Sequence, residues 1–310
     1  MIQKGGAGVA SPAFLLTLGM QPLKIRSTTL AWDARTYVMG ILNLTPDSFS
    51  GDGLGMHSSP VEAALSQAER FLADGADILD VGGESTRPGA DEVLPEEELA
   101  RVVPVVEALR ARFEAIISID TYKSEVAGAA LRAGADMVND VWGLRADPQM
   151  GAVAARYKAP VVLMHNRSTP ANAELKERLG GRYISVKYDN LLEDVKKELM
   201  ESAALAGAAG IPENHIILDP GIGFGKTTEQ NLALLNRLDE LTPLGYPLLI
   251  GPSRKSFIGY TLDLPPDQRL EGTAATVAVG ILRGANIVRV HDVRAMARIA
   301  RMTDALRRAR

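Results

Sequence analysis

Residues 216–227 read Ile-Ile-Leu-Asp-Pro-Gly-Ile-Gly-Phe-Gly-Lys-Thr, an apolar run that stops on Asp219 and enters a glycine-rich loop. Gly221, Gly223 and Gly225 permit positive φ and leave N–H groups uncovered, as a phosphate cradle requires. The spacing excludes a Walker A loop: counting back from Gly225-Lys226-Thr227, Pro220 stands where that loop needs its first glycine. Asp219 therefore carries more weight than the glycines.

Other apolar runs also end on polar groups: Asn43 with Thr45 and Asp47, Gly82 to Arg87, Asp120, Asn139 with Asp140, His165 with Asn166, Ser253-Arg254-Lys255, and Arg289 with His291 and Asp292. Taken singly, Asp120, Asn139 and Asp147 read as N-caps of the next helix. Capping does not explain Arg87, Arg254, Lys255, Arg289 and His291, which together call for an anionic ligand. Asn43 and Asp47 are placed to hold Mg²⁺ against a phosphate oxygen. Asp120, Asn139 and Asp219 can accept from paired N–H groups, such as the edge of a 2-aminopyrimidine ring. Lys226 reads as a cap on its own loop, and His165 is open between ligand contact and local hydrogen bonding. His215 reads as structural; His57, Asp52 and Asp91 read as loop residues.

To bring such groups together, the chain must deliver strand ends to one face. Residues 23–30 and 36–43 are β-rich and separated by Trp32-Asp33-Ala34-Arg35, which predicts a hairpin leading into a buried strand. Strand-like and helical runs then alternate: 38–44 and 61–74, 78–81 and 95–112, 116–120 and 124–133, 137–141 and 148–157. The second half continues with 161–164 and 183–206, 216–219 and 228–241, 248–251 and 272–283, 287–290 and 293–308. Val61, Leu65, Ala68 and Leu72 share one helix face, while the strands are apolar throughout, as in a parallel sheet covered by helices. Eight such β–α units predict a (β/α)₈ TIM barrel with the N-terminal β-hairpin covering its bottom, a doubly wound open sheet being the rival. Residues 1–22 read as an arm and 23–310 as a single catalytic domain.

A net charge of −4 disfavours a nucleic-acid surface, and the absence of cysteine excludes disulfides, a thiolate nucleophile and Cys-ligated metals. The apolar run 13–20 is too short to span a bilayer. A cytoplasmic, non-membrane protein is the expectation.

Met39-Gly-Ile-Leu-Asn-Leu-Thr-Pro-Asp-Ser-Phe-Ser50, Gly82-Gly-Glu-Ser-Thr-Arg-Pro-Gly89, Ser118-Ile-Asp-Thr121, Asp219-Pro-Gly-Ile-Gly-Phe-Gly-Lys226, Ser253-Arg-Lys255 and Arg289-Val-His-Asp292 resemble, in order, the signature stretches of the dihydropteroate synthase family. The resemblance runs from about residue 36 to the C-terminus. It implies condensation of (7,8-dihydropterin-6-yl)methyl diphosphate with 4-aminobenzoate, Mg²⁺ as cofactor and a homodimer. Carried over by position, Asp120, Asn139, Asp219 and Lys255 would hold the pterin, with Arg289 stacked over it and the loop glycines passing beneath the ring. Asn43, Arg289 and His291 would bind the diphosphate, with Mg²⁺ at Asn43. Phe49, Thr86, Arg87 and Pro88 would belong to closing loops, and Ser253 and Arg254 would face 4-aminobenzoate. Asp120, Lys255, Arg289 and His291 are the catalytic candidates. The chain departs from the family pattern at Gly51-Asp-Gly-Leu-Gly55 and at Met164-His-Asn-Arg-Ser168. A methyltetrahydrofolate:corrinoid methyltransferase and a non-catalytic pterin-binding homologue are the alternatives; the former has no leaving diphosphate to bind.

Overall fold

Eight parallel strands form the centre of the molecule, seen in a computed structural model that describes residues 20–44, 59–86, 90 and 92–309. Thr45, Asp47, Phe49, Asp52, His57, Arg87, Pro88 and Asp91 lie outside the described residues. The chain begins with a small antiparallel hairpin of β1 (Leu23–Ile25) and β2 (Thr28–Leu30). The barrel strands are β3 (Tyr37–Asn43), β4 (Ile78–Gly82), β5 (Ile116–Asp120), β6 (Met137–Asp140), β7 (Val161–Met164), β10 (Ile216–Asp219), β11 (Leu249–Ile250) and β12 (Ile287–Val290). Their order is β10-β7-β6-β5-β4-β3-β12-β11. A parallel bridge between Leu218 and Leu248, with the Leu218 N–H donating to the Pro247 carbonyl at 2.9 Å, closes the ring.

Between them run α1 (Pro60–Asp74), α2 (Pro95–Arg112), α3 (Ser124–Ala133), α4 (Met150–Tyr157), α5 (Leu191–Ala208), α6 (Thr228–Asn236), α7 (Ser256–Leu262), α8 (Leu270–Leu282) and α9 (Val293–Arg308). Local signals set several boundaries. Gly75 and Gly134 end α1 and α3 in the left-handed conformation, and Thr227 with Gln230 forms a reciprocal capping box at the start of α6.

The structure departs from the sequence expectation in four places. The N-terminal hairpin turns at Arg26 (φ 53°), inside the first β-rich run, whereas residues 32–35 form a link fixed by side chains. There the Trp32 indole N–H donates to the Gln21 carbonyl and packs edge-on against Tyr37, so burial rather than strand pairing shapes the segment. The helix expected from residue 183 starts only at Leu191, after the Asn190 cap, because β8 (Ala173–Lys176) and β9 (Gly180–Tyr183) form a second hairpin upstream. The helix expected over 228–241 stops at Asn236 and continues as a 3₁₀ stretch, Leu238–Leu244; Pro243 lacks the N–H an α-helix needs there. Finally, α7 is an additional helix between β11 and α8.

The core explains why one barrel end is inert and the other functional. Tyr37, Met39, Ile78, Ile116, Met137, Val162, Ile217, Leu249 and Ile287 form one buried apolar cluster with Leu23, Ile25, Leu30 and Trp32. These strand residues point inward near the strand starts, and the hairpin seals that end. Alternate strand positions such as Val38, Leu79, Val81, Ile117, Ile119 and Val288 join the second cluster, under the helices. The barrel and its N-terminal hairpin cover agree with the sequence expectation.

Candidate active site

Two residues beyond the apolar layer, the period of a strand returns the chain to the same inward face. There Ile78, Ile116, Met137, Ile217 and Ile287 are succeeded by Asp80, Ser118, Asn139, Asp219 and Arg289, and one further step along β5 gives Asp120. The barrel therefore changes from apolar to charged along its own axis. Asp120 and Asn139 are register partners on β5 and β6.

Arg289 is the hub. Its Nε donates to Asp80 Oδ2 at 2.6 Å and its Nη2 to Asp120 Oδ2 at 2.5 Å. The Asn139 amide donates to the same Asp80 oxygen at 3.1 Å. Burial alone would lower the Arg289 guanidinium, but Asp80 and Asp120 outweigh it and hold the charge in place. Burial pushes the Asp120 carboxyl up to about 7, against the pull of Arg289, with Asp80 adding to the rise. Two carboxylates sharing one guanidinium leave excess negative charge at the mouth, which suits a ligand edge rich in N–H.

Asp219 is buried, and its Oδ1 accepts the Gly221 N–H at 2.7 Å. Its carboxyl is raised by burial, with Lys255 opposing. Lys255 donates from Nζ to the Ile222 carbonyl and lies 4.3 Å from the centre of the Phe224 ring. Burial brings the Lys255 ammonium down to about 7, with Asp219 opposing and Arg289 assisting. The 219–226 loop and the segment after β11 thus meet over the barrel mouth.

The glycines of that loop also permit close packing within the chain. A Cβ on Gly221 would collide with the His165 carbonyl oxygen, and one on Gly225 with the backbone of Arg167 and Ser168. At Gly223 a Cβ would meet the Lys255 side chain. All three have positive φ, so they let the loop lie against the 165–168 segment and beneath Lys255.

The remaining candidates are spread around the rim. Asn43 ends β3 and is half-buried; Thr86 is half-buried beyond β4. The His291 N–H donates to Ser253 Oγ at 3.2 Å, and His291 Nδ1 lies 3.1 Å from the same oxygen. Arg254 forms a two-pronged pair with Asp292 at 2.9 and 2.6 Å. Lys226 is buried and donates to the Gly221 and Phe224 carbonyls, as a loop cap does. His165 is buried, and its Nδ1 lies 2.9 Å from Lys226 Nζ, a local contact. Asp147 accepts the Ser124 and Gln149 N–H groups at 2.8 Å, although the N-cap of α4 is Gln149 rather than Asp147 itself.

Asp80 is the site residue that inspection of strand ends missed. It lies in the middle of β4, within a run counted as apolar. The signal was present: a lone acid inside a doubly covered strand must have a buried partner.

The family model described as pterin binding enzyme matches residues 39–291. The dihydropteroate synthase of Bacillus subtilis is 50% identical over 286 residues, covering 92% of this chain and 94% of that protein. The Clostridium difficile dihydropteroate synthase, solved in the presence of pteroic acid, is 47% identical with a TM-score of 0.80, over 88% of this chain and 97% of its own. The Xanthomonas albilineans enzyme, solved with 4-aminobenzoic acid, is 43% identical with a TM-score of 0.80, over 91% and 96% of the two chains. This chain belongs to the pterin binding enzyme family, and within it to the dihydropteroate synthases.

Proposed function

We propose that the chain joins (7,8-dihydropterin-6-yl)methyl diphosphate to 4-aminobenzoate, giving 7,8-dihydropteroate and diphosphate. The observation that carries this reading is the meeting of Asp120, Asn139, Asp219, Lys255 and Arg289 at one end of the barrel. Asp219 and Asn139 would take the aminopyrimidine edge and Lys255 the ring carbonyl. Arg289 would give up Asp120 to the ring while Asp80 keeps hold of its Nε, leaving the guanidinium plane free to stack. Asn43, Arg289 and His291 would receive the diphosphate; Ser253 and Arg254, with Phe49, Thr86, Arg87 and Pro88, would enclose 4-aminobenzoate.

Mg²⁺ fits this donor set. Among the described residues no cluster of three or more His, Cys, Asp or Glu could cage a metal, and Mg²⁺ on a phosphorylated substrate needs few protein ligands. The Asn43 side-chain oxygen supplies one hard donor, and bound Mg²⁺ would neutralise diphosphate charge.

An arylamine is unprotonated at neutral pH, so it needs orientation rather than a strong base. The demanding event is cleavage of the bond between the exocyclic carbon and the diphosphate oxygen. Arg289 and His291 would stabilise the departing anion, and the dihydropterin would delocalise the positive charge, with Asp120 beside it. The amine nitrogen then forms the new C–N bond and loses its proton to solvent or diphosphate. This makes the substitution dissociative, SN1-like. With both substrates, dihydropteroate and diphosphate should appear in equal amounts; with a poor leaving group in place of diphosphate, alkylation of 4-aminobenzoate should cease. An undiminished rate with the poor leaving group would exclude the dissociative route.

Val279 and Leu282 on α8 and Met302 and Leu306 on α9 are exposed on helices that pack together, which supports a homodimer through this side. No helix among the described residues is long and apolar enough to cross a membrane. The cysteine-free composition supports a cytoplasmic setting.

A further inference from the structure

Lys226 is one of the largest fully buried side chains, and all its donors find partners. Nζ lies 3.0 Å from the Gly221 carbonyl, 3.0 Å from the Phe224 carbonyl and 2.9 Å from His165 Nδ1. With Nδ1 accepting from Lys226 Nζ, the His165 proton sits on Nε2, which faces Glu198 Oε2 on α5 at 3.1 Å. Burial, aided by Lys226, brings His165 down to about 4, so the ring is neutral; burial likewise lowers Lys226 well below the usual lysine range, with Asp219 opposing. Burial would raise Glu198, but His165 and Arg167 outweigh it and hold the carboxyl at about 2.

The network returns to the loop from its other end. Arg167 Nε donates to Glu198 at 2.8 Å, and its guanidinium lies 4.3 Å from the centre of the Tyr188 ring. The Tyr188 hydroxyl donates to the Gly225 carbonyl at 2.8 Å. The carbonyls of residues 221, 224 and 225 are thus pinned from below, while that of Ile222 faces Lys255.

We propose that Lys226, His165 and Glu198 are positioning residues for the pterin: as a chain of contacts from the loop to α5, they fix the shape in which Asp219 and the Ile222–Lys255 pair meet the heterocycle, while touching no reacting atom. The inference rests on the reading that this loop holds the pterin ring.

The test compares His165→Leu with His165→Gln. A glutamine amide can accept from Lys226 and donate to Glu198; leucine can do neither. With the leucine variant, KM for the dihydropterin diphosphate should rise about tenfold or more, the size of a lost charge-assisted hydrogen bond, and KM for 4-aminobenzoate should stay within about twofold. The glutamine variant should stay within about threefold of wild type on both, since it restores the bonds. Equal rises in both KM values, no rise with leucine, or a glutamine variant as impaired as leucine would overturn the proposal. If the leucine variant does not fold, Glu198→Gln decides: a selective rise in pterin KM supports the chain and an unchanged KM refutes it. A wild type that binds a dihydropterin in calorimetry but forms no dihydropteroate would instead refute the functional reading, and pterin affinity across the same variants would still decide the inference.

Discussion

Asp120→Asn should lower kcat/KM for the dihydropterin diphosphate by about 10²–10³, the usual consequence of removing one preorganised electrostatic contact, without weakening the fold at pH 8. The second half of the expectation follows from the sign of the pKa shift. Burial raises Asp120 from 3.8 to about 7, so between those values the folded chain holds a proton that the unfolded chain has lost. Stability from this group is fully present below 3.8 and is lost as pH rises through about 7. An asparagine escapes that loss. Arg289 keeps Asp80 as a partner in the variant, so no unpaired buried cation is created. Thermal melts at pH 5 and pH 8 should show the variant gaining on wild type as pH rises. A variant that retains wild-type kcat/KM and melts lower at pH 8 would remove Asp120 from its assigned place.

Arg289→Met should both unfold the chain more readily and abolish product formation. Removing one member of a buried ionic cluster typically costs ~3–5 kcal/mol, because the charges left behind have no compensation. Here Asp80, fully buried, and Asp120 would face each other without the guanidinium between them. For a chain of this size the melting temperature should fall by roughly 5–8 °C. Adding Asp80→Asn should recover much of that fall, because the buried charge on β4 disappears, while activity stays lost. Calorimetric melts of the single and double variants check both halves. An Arg289→Met chain with an unchanged melting temperature would show that the cluster carries no structural weight.

The barrel was legible because its signals are local and periodic. Apolar runs of four or five residues alternated with helical faces, and Gly75, Gly134 and the Thr227–Gln230 box marked helix ends where the structure has them. The site was legible to the extent that its residues fall at strand ends, as Asp120, Asn139, Asp219 and Arg289 do. Asp80 escaped because its partner, Arg289, is 209 residues away and only the closed barrel brings the two together. The protein neighbours of the loop glycines escaped notice for a related reason. Their spacing announces a close approach, but that the approach is to residues 165–168 depends on the pairing of β7 with β10. The hairpin around residues 173–183 lacked the alternating pattern that would have exposed it, since residues 176–182 read Lys-Glu-Arg-Leu-Gly-Gly-Arg rather than a polar–apolar alternation.

The most direct test is diphosphate release with both substrates present, measured for wild type and for Lys255→Ala. Lys255 joins the two halves of the site, through the Ile222 carbonyl on one side and the fields of Asp219 and Arg289 on the other. With 4-aminobenzoate and the dihydropterin diphosphate both supplied, wild type should release diphosphate and form dihydropteroate, and the alanine variant should lose about 10²-fold or more of that rate. Full activity in Lys255→Ala would contradict the placement of the heterocycle between Asp219 and Lys255.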